Sequence, residues 1–280
     1  METNWKLGFV GAGVMAEVMV AGLLDERVLS PDRIIASNRR AVRGAELADT
    51  YGIQTTTDNV EVATQCDVLV LSVKPQTLDR VLRELAGKVR PDALVVSIVA
   101  GARMGVLSRE LSHSKVVRCM PNLPCRIRRG MTVWAATDNT PEADLDRVRL
   151  LLGVMGEELR VDDEGHVDRA TAVNGTGPAI VAQFVKDLME AATFIGESRP
   201  VARETVLATL VGTAEMIRRS DIHVAEMIDE VTSPGGTTSR GLQVLKQGRF
   251  SAVLTEAVEA AYIRTLELGE ILEQKLQNEE

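Results

Sequence analysis

The first 163 residues alternate short apolar runs with segments in which apolar residues recur at helical spacing. The run VLVLSV, within residues 67–73, has no polar face, which is typical of a strand covered on both sides in a parallel sheet. Further strands are predicted within residues 6–13, 33–38, 54–56, 93–100, 115–121 and 130–137, and helices at 14–24, 41–51 and 78–86. This alternation predicts a doubly wound α/β domain.

From about residue 164 the strand pattern ends and the sequence becomes helical. In residues 180–195 the polar side chains form mainly one stripe, and residues 206–214, within a predicted helix over 201–219, carry no charge. Helices that are apolar around most of their circumference must be buried on most sides. We therefore predict an α/β domain at 1–163 and an all-helical domain at 164–280 that packs against a second copy of the chain. Packing against the α/β domain is the alternative.

Composition narrows the range of partners. The 280 residues carry a net charge of −8 and no long basic run, which argues against a nucleic-acid partner. The three cysteines lack zinc-site spacing and the three histidines are far apart, so we predict no metal site. A small, odd number of cysteines also suits a reducing cytoplasm. The apolar stretch 8–24 holds four glycines and lacks a basic leader and a cleavage pattern, so we interpret it as a buried strand and helix, with no membrane segment.

A glycine-rich turn joins the first predicted strand to the first helix. It contains Gly11, Gly13 and Ala16 in the order G-x-G-x-x-A, the dinucleotide fingerprint with alanine at its last position. The glycines allow a tight turn and close approach of a pyrophosphate, which the free N–H groups of the helix N-terminus bind. The turn predicts a Rossmann-like domain, with Val14 and Met15 of the first helical turn beside the cofactor.

The end of the second strand indicates which dinucleotide is bound. An NAD site places Asp or Glu there to accept a hydrogen bond from the ribose 2′-OH. This sequence has Ser37, Asn38, Arg39 and Arg40 instead, whose hydroxyl, amide and guanidinium groups suit a 2′-phosphate. The sequence therefore predicts NADP(H), with NAD(H) less favoured. Alternatively, the arginines only solvate the start of a helix.

Two glycine-rich turns precede helices in the second half: NGTGPA at 174–179 and SPGGTT at 233–238. Each turn presents backbone N–H groups at a helix start, where a substrate carboxylate can bind. In the second turn, Thr237 or Thr238 offers a hydroxyl beside that anion. A cap that only begins a helix is the competing interpretation.

The chain resembles the pyrroline-5-carboxylate reductases over nearly its whole length. The resemblance is carried by GFVGAGVMA, SVKPQ, RCMPNLP, NGTGPA and, most specifically, VTSPGGTTSRGLQVL. It implies an N-terminal NADP(H) domain, a helical dimerisation domain and dimers that often assemble into decamers. It also implies reduction of 1-pyrroline-5-carboxylate to L-proline by hydride transfer to the carbon of a cyclic imine.

The resemblance also implies residue roles. Gly235, Gly236 and Thr237 would hold the substrate carboxylate through their N–H groups, and Thr238 would donate a proton to the imine nitrogen or orient the ring. The candidate catalytic residues are Thr238 and Lys74. The candidate substrate-binding residues are Ser233, Gly235, Gly236, Thr237, Thr238, Asn174 and Thr176. The candidate cofactor-binding residues are Gly11, Gly13, Val14, Met15, Ser37, Asn38, Arg39, Arg40, Val73, Lys74, Pro75 and Asn122.

The sequence departs from the family pattern where a substrate would lie. Leu123 replaces the threonine of PNTP, Asn174 and Thr176 stand in the SGSGPA segment, Ile180 replaces an aromatic residue, and Arg240 lies where an apolar residue is usual. These departures leave two alternatives open. One is a sister reductase that acts on another cyclic imine carboxylate, of piperideine or thiazoline type. The other is a non-catalytic dinucleotide sensor.

Overall fold

A computed structural model of the chain describes residues 4–277. The chain forms two compact units, one comprising Met1–Thr176 and Ala261–Glu280 and the other Gly177–Ala260. Residues 164–176, which the sequence assigns to the helical domain, therefore group with the α/β unit, as does the C-terminal end of the chain. The domain boundary at 163/164 stays a prediction.

The first unit is built on one eight-stranded sheet. Its strands are β1 Leu7–Val10, β2 Ile34–Ser37, β3 Gln54–Thr56, β4 Val68–Leu71, β5 Leu94–Ser97, β6 Val116–Met120, β7 Gly130–Ala136 and β8 Gly156–Arg160. They are ordered β3-β2-β1-β4-β5-β6-β7-β8. All neighbours are parallel except β6 and β7, which pair antiparallel because the loop 121–129 is too short for a crossover connection.

Helices cover both faces of this sheet. They are α1 Val14–Asp25, α2 Ala41–Tyr51, α3 Asn59–Gln65, α4 Leu78–Leu85, α5 Met104–Leu111, α6 Glu142–Gly153 and α7 Gly165–Ala170. One core cluster contains buried residues of α1, α2 and α6, and a second contains those of α3, α4 and α5. Two apolar layers against a mostly parallel sheet confirm the predicted doubly wound α/β fold.

The second unit is entirely helical. It contains α8 Gly177–Phe194, α9 Arg199–Arg219, α10 Val224–Glu230, α11 Thr237–Gln247 and the beginning of α12 Phe250–Gln277. The helices predicted at 180–195 and 201–219 are thus confirmed. No residue of α8 is buried, and the side chain of Phe194 is 92% exposed. Within one chain, these apolar helices therefore leave most of their surface uncovered.

The C-terminal half of α12 packs on the first unit. Gly269 meets the loop after β5, where a Cβ added to Gly101 would lie 2.9 Å from the Gly269 nitrogen. Arg103 Nη1 pairs with Glu273 Oε1 at 3.3 Å. The apolar side chains that complete the contact are Leu272 and Leu276, both buried in the second core cluster.

Two absences apply to the described part of the chain. No helix within residues 4–277 combines the length and apolar character needed to cross a membrane. Across the same residues, no group of three or more His, Cys, Asp and Glu side chains is placed to hold a metal ion.

Candidate active site

The glycine turn after β1 forms one wall of a crevice. Gly11 has a φ of 100°, and a Cβ atom there would lie 2.8 Å from the carbonyl oxygen of Ser72, so the position requires glycine. Gly13 immediately precedes α1, and a Cβ there would meet only that same oxygen, at 3.9 Å. The approach to the N-terminus of α1 is therefore open, and its free N–H groups suit the pyrophosphate of a dinucleotide.

A cavity of about 410 Å³ lies beside this turn, between the ends of β1, β2 and β4 and the helix α4. Many of the predicted cofactor residues line it: Gly11, Gly13, Ser37, Asn38, Arg39, Arg40, Val73 and Lys74. The others are not part of its lining: Val14 and Met15 lie in the first turn of α1, Pro75 lies after β4, and Asn122 lies after β6. Chain segments far apart in sequence thus converge on one cavity.

The cavity is strongly cationic. Its lining contains the side chains of Arg39, Arg40, Lys74 and Arg80 and no carboxylate. All four are exposed, and within residues 4–277 none has a hydrogen-bond or ion-pair partner for its charged group. Unpaired cations around a concave wall attract a polyanionic ligand, so the electrostatics fit a phosphorylated dinucleotide.

Ser37 and Asn38 have internal partners. Ser37 is fully buried, and its hydroxyl donates to Asn59 Oδ1 at 2.7 Å. The Asn38 amide nitrogen donates to the Ala12 carbonyl at 3.3 Å, and its oxygen accepts from the Arg40 N–H at 3.0 Å. Both side chains brace the fingerprint turn and the end of β2. That they also bind the cofactor stays a prediction, and it would require these bonds to be exchanged.

Lys74 and Pro75 begin a short 3₁₀ turn, Pro75–Thr77, between β4 and α4. The Lys74 carbonyl accepts hydrogen bonds from both the backbone N–H and the hydroxyl of Thr77, at 2.9 and 3.0 Å. These bonds fix the backbone of the segment while the Lys74 ammonium remains at the cavity. Its candidate catalytic role stays a prediction.

Asn122 and Asn174 form one network. Asn122 Nδ2 donates to Asn174 Oδ1 at 2.7 Å, and Asn174 Nδ2 donates to the carbonyls of Met120 and Met131 at 3.0 and 2.9 Å. The Asn122 oxygen accepts from the Met131 N–H at 3.1 Å. Asn174 lies in a π-helical turn, Thr171–Gly175, a distortion frequent at functional sites. The network ties that turn to β6 and β7.

The second glycine-rich turn lies in the helical unit, ahead of α11. The Gly236 N–H donates to the Ser233 carbonyl at 3.0 Å, which closes the turn. Among residues 4–277, the N–H groups of Gly235 and Thr237 have no acceptor, and neither threonine hydroxyl caps the helix. The half-buried Thr238 hydroxyl likewise has no partner in the described chain. The turn therefore presents free donors together with a free hydroxyl.

A buried arginine on β6 links the sheet to the segment 164–168. Arg118 on β6 is 1% exposed and donates to Glu164 Oε1 at 3.0 Å and to Asp168 Oδ1 at 2.5 Å. Glu164 Oε1 also accepts from the N–H of Met104, the first residue of α5, at 2.7 Å. The ion pairs hold α7 against the sheet, which explains why residues 164–176 belong to the first unit.

Comparison with known proteins identifies the family. The family model described as pyrroline-5-carboxylate reductase dimerisation matches residues 164–268, and an NADP oxidoreductase, coenzyme F420-dependent, model matches residues 6–101. The pyrroline-5-carboxylate reductase of Synechocystis is 39% identical, over 94% of this chain and 98% of the relative. This chain belongs to the pyrroline-5-carboxylate reductase family. The enzyme of that name from Pseudomonas aeruginosa is 36% identical, over 96% of this chain and 98% of the relative.

A solved pyrroline carboxylate reductase from Plasmodium falciparum, described with NADP bound, superposes with a TM-score of 0.87. It is 30% identical and covers 96% of this chain and 100% of its own. The predicted family, fold class and enzyme class are confirmed: as a pyrroline-5-carboxylate reductase family member, the chain is an NAD(P)H-dependent oxidoreductase with a nicotinamide dinucleotide cofactor.

Sequence reasoning missed part of the crevice of this reductase family member. Asn59, Thr77 and Arg80 line the cavity, yet none belongs to the fingerprint or to the end of β2. All three follow β3 or β4 in sequence. They could have been predicted from that position, since the C-terminal ends of parallel strands lie at one edge of the sheet, where ligands bind. Arg118 carried no signal, because a single arginine in an apolar run does not reveal its partners.

Proposed function

We propose that this protein reduces 1-pyrroline-5-carboxylate to L-proline with NADPH. The observation that carries the proposal is the turn ahead of α11, where unpartnered N–H groups adjoin the free Thr238 hydroxyl. Relatives that bear the name of this activity span 94–96% of the chain, as in Synechocystis and Pseudomonas aeruginosa, which supports the same conclusion.

The residues of the turn have distinct roles. The N–H groups of Gly235 and Thr237 bind the substrate carboxylate, while the Gly236 N–H keeps the turn closed through Ser233. Charge-assisted bonds of this kind contribute about 1.5–3 kcal/mol each. The Thr238 hydroxyl donates a proton to the imine nitrogen or orients the ring. A bound reduced nicotinamide supplies the hydride. Asn174 and Thr176 are proposed to shape the substrate site.

The role of Thr238 is tested by Thr238→Ala and Thr238→Ser. A hydroxyl that acts as general acid contributes about 10²–10⁴ in rate, so we expect the alanine variant to lose at least 100-fold in kcat and the serine variant to retain most of it. Thr64→Ala is the matched control, because the Thr64 hydroxyl donates only within its own helix, to the carbonyls of Val60 and Glu61. An alanine variant with unchanged kcat would remove Thr238 from the mechanism.

Substrate identity is tested by following NADPH oxidation with three compounds side by side: pyrroline-5-carboxylate, piperideine carboxylate and a 2-keto acid. We expect the highest kcat/KM with pyrroline-5-carboxylate and rescue of a proline auxotroph. Leu123, which is 57% exposed, favours the sister reductase as second candidate, since an apolar side chain replaces the family hydroxyl. A higher kcat/KM with the six-membered imine would establish it.

Preference for NADPH is proposed from the cationic cavity. Arg39 and Arg40 follow β2, where an NAD site would carry a carboxylate. We expect Arg39→Asp to lower the ratio of kcat/KM for NADPH to that for NADH by at least tenfold. An unchanged ratio would show that Arg39 does not bind the 2′-phosphate.

Assembly follows from the uncovered helices. We propose that α8 and α9 pack against their counterparts in a second copy, giving a dimer in the cytoplasm, with a decamer as the higher assembly. The match of residues 164–268 to the dimerisation model supports the dimer. Sedimentation equilibrium is expected to give at least twice the chain mass of 30.4 kDa, and a monomer mass at all concentrations would contradict the proposal.

A further inference from the structure

One cationic side chain of the cavity, that of Arg80, lies outside the segment 37–40 that the sequence assigns to the 2′-phosphate. Arg80 belongs to α4, one turn after Pro75–Thr77, and lines the same cavity as Arg39 and Arg40. It is exposed, and its guanidinium has no partner within residues 4–277. On a helix surface, an arginine can pair with a carboxylate three or four positions away. For Arg80 that carboxylate is Glu84.

Glu84 is bound by another residue. Asn59 Nδ2 donates to Glu84 Oε2 at 2.9 Å, and the Asn59 oxygen accepts from the Ser37 hydroxyl at 2.7 Å. A relay of hydrogen bonds thus runs from the end of β2 through α3 to α4. It engages the Ser37 hydroxyl, which is expected at the 2′-phosphate, and it binds Oε2 of Glu84; within residues 4–277 no ion pair joins Glu84 to Arg80.

The second carboxylate of α4, that of Asp79, does not neutralise Arg80 either. Asp79 is the adjacent residue, and neighbours in sequence do not face each other on a helix. Arg83, one turn further on, donates to the Lys275 carbonyl of α12 at 2.8 Å. Within residues 4–277, Arg80 is therefore a guanidinium of α4 that lines the cavity and has no partner.

We propose that Arg80 is a specificity-determining residue that binds the phosphomonoester on the adenosine 2′-oxygen of the cofactor, together with Arg39 and Arg40. This inference rests on the proposed use of NADP(H). The pyrophosphate belongs at the N-terminus of α1, beside Gly13, whereas the ribose 2′-oxygen belongs at the end of β2. Arg80 lines the cavity together with the end of β2 and with Asn59, which is hydrogen-bonded to Ser37.

The test measures ligand binding by isothermal titration calorimetry on the full chain, without any imine. The probes are adenosine 2′,5′-bisphosphate and 5′-AMP, which differ by the 2′-phosphate. Arg80→Gln is expected to weaken the bisphosphate about tenfold, equivalent to 1.4 kcal/mol, and to leave 5′-AMP unchanged. Arg80→Lys, which keeps the charge but not the bidentate fork, is expected to fall between Arg80→Gln and the unmodified chain.

The control is Arg109→Gln, since Arg109 is an exposed arginine of α5 outside the cavity, paired with Glu110. It is expected to change neither Kd. Equal weakening of both ligands by Arg80→Gln, or no weakening, would overturn the assignment. The outcome for the proposed reaction is separate from the outcome for Arg80. If the chain prefers the bisphosphate but reduces no imine, the reaction is refuted and the assignment of Arg80 stands. If the chain binds both probes equally, the assignment of Arg80 is refuted.

Discussion

The contact between α12 and the loop after β5 can be tested with a pair of glycines. Gly101 and Gly87 both have left-handed backbones, with φ of 76° and 67°. A Cβ added to Gly87 would meet nothing within 4 Å, whereas one added to Gly101 would lie 2.9 Å from the Gly269 nitrogen and 3.1 Å from the Leu268 carbonyl carbon. Alanine at the two positions therefore shares the backbone strain and differs in the steric overlap.

The magnitudes follow from these two contributions. A left-handed alanine costs about 1–2 kcal/mol, and the loss of conformational freedom in the unfolded chain offsets about 0.4–1 kcal/mol of it. Gly87→Ala should thus lower the free energy of unfolding by about 1 kcal/mol or less. Gly101→Ala adds overpacking against backbone that cannot rotate away, which costs about 1–3 kcal/mol more.

The assay is urea denaturation of both variants at one fixed protein concentration, because association would otherwise shift the apparent stability. We expect the two free energies of unfolding to differ by about 2 kcal/mol, with Gly101→Ala the less stable. Equal losses in the two variants would refute the close packing of α12 on this loop.

Three further predictions concern buried polar groups. Burial lowers the pKa of His113, whose Nε2 lies 2.8 Å from the Ala93 carbonyl oxygen. Between this lowered pKa and 6.5, the unfolded chain binds more protons at this histidine than the folded chain does. The free energy of unfolding should therefore fall with pH in that window, by at most about 1.4 kcal/mol per pH unit, and should fall less in His113→Gln; parallel urea titrations at pH 7 and pH 5 measure it. Arg118→Met leaves two carboxylates without their cation and should cost about 3–5 kcal/mol in the same assay, whereas a loss under about 1 kcal/mol would contradict the buried pairing. Burial raises the pKa of the Cys66 thiol to about 12, and all three cysteines are free and buried, so a thiol reagent at pH 8 should label the native protein slowly and the urea-unfolded chain at three sites; rapid native labelling would contradict this.

Apolar periodicity predicted the elements that are buried on both sides. β4 and β5 lie within the predicted segments 67–73 and 93–100, whose short uncharged runs suit strands that are covered on both faces of the sheet. β8 was missed because it is an edge strand with three charged residues in GEELR, a sequence without an apolar face. The short helices α3 and α5 were missed because seven or eight residues give too few turns for a clear period.

The residues of the cavity could be predicted where one short sequence pattern contains them. They could not be predicted where their contacts join several helices and strands. Gly11 and Gly13 followed from the spacing of the fingerprint alone. The partners of the Ser37 hydroxyl and of the Glu84 carboxylate depend on Asn59, which lies on a third element, α3. No single stretch of sequence records that arrangement. Likewise, the return of α12 to the first unit depends on a close approach of Gly101 and Gly269, which only the folded chain brings together.

The discontinuity of the first unit has a consequence for biosynthesis. A ribosome completes residues 1–176 before it adds the helical unit, and only then does it release the last turns of α12. Until that moment Leu272 and Leu276 are missing from the core beneath α4 and α5. Until the C-terminal half of α12 has been synthesised, the nascent α/β unit therefore exposes apolar surface that is buried in its folded form.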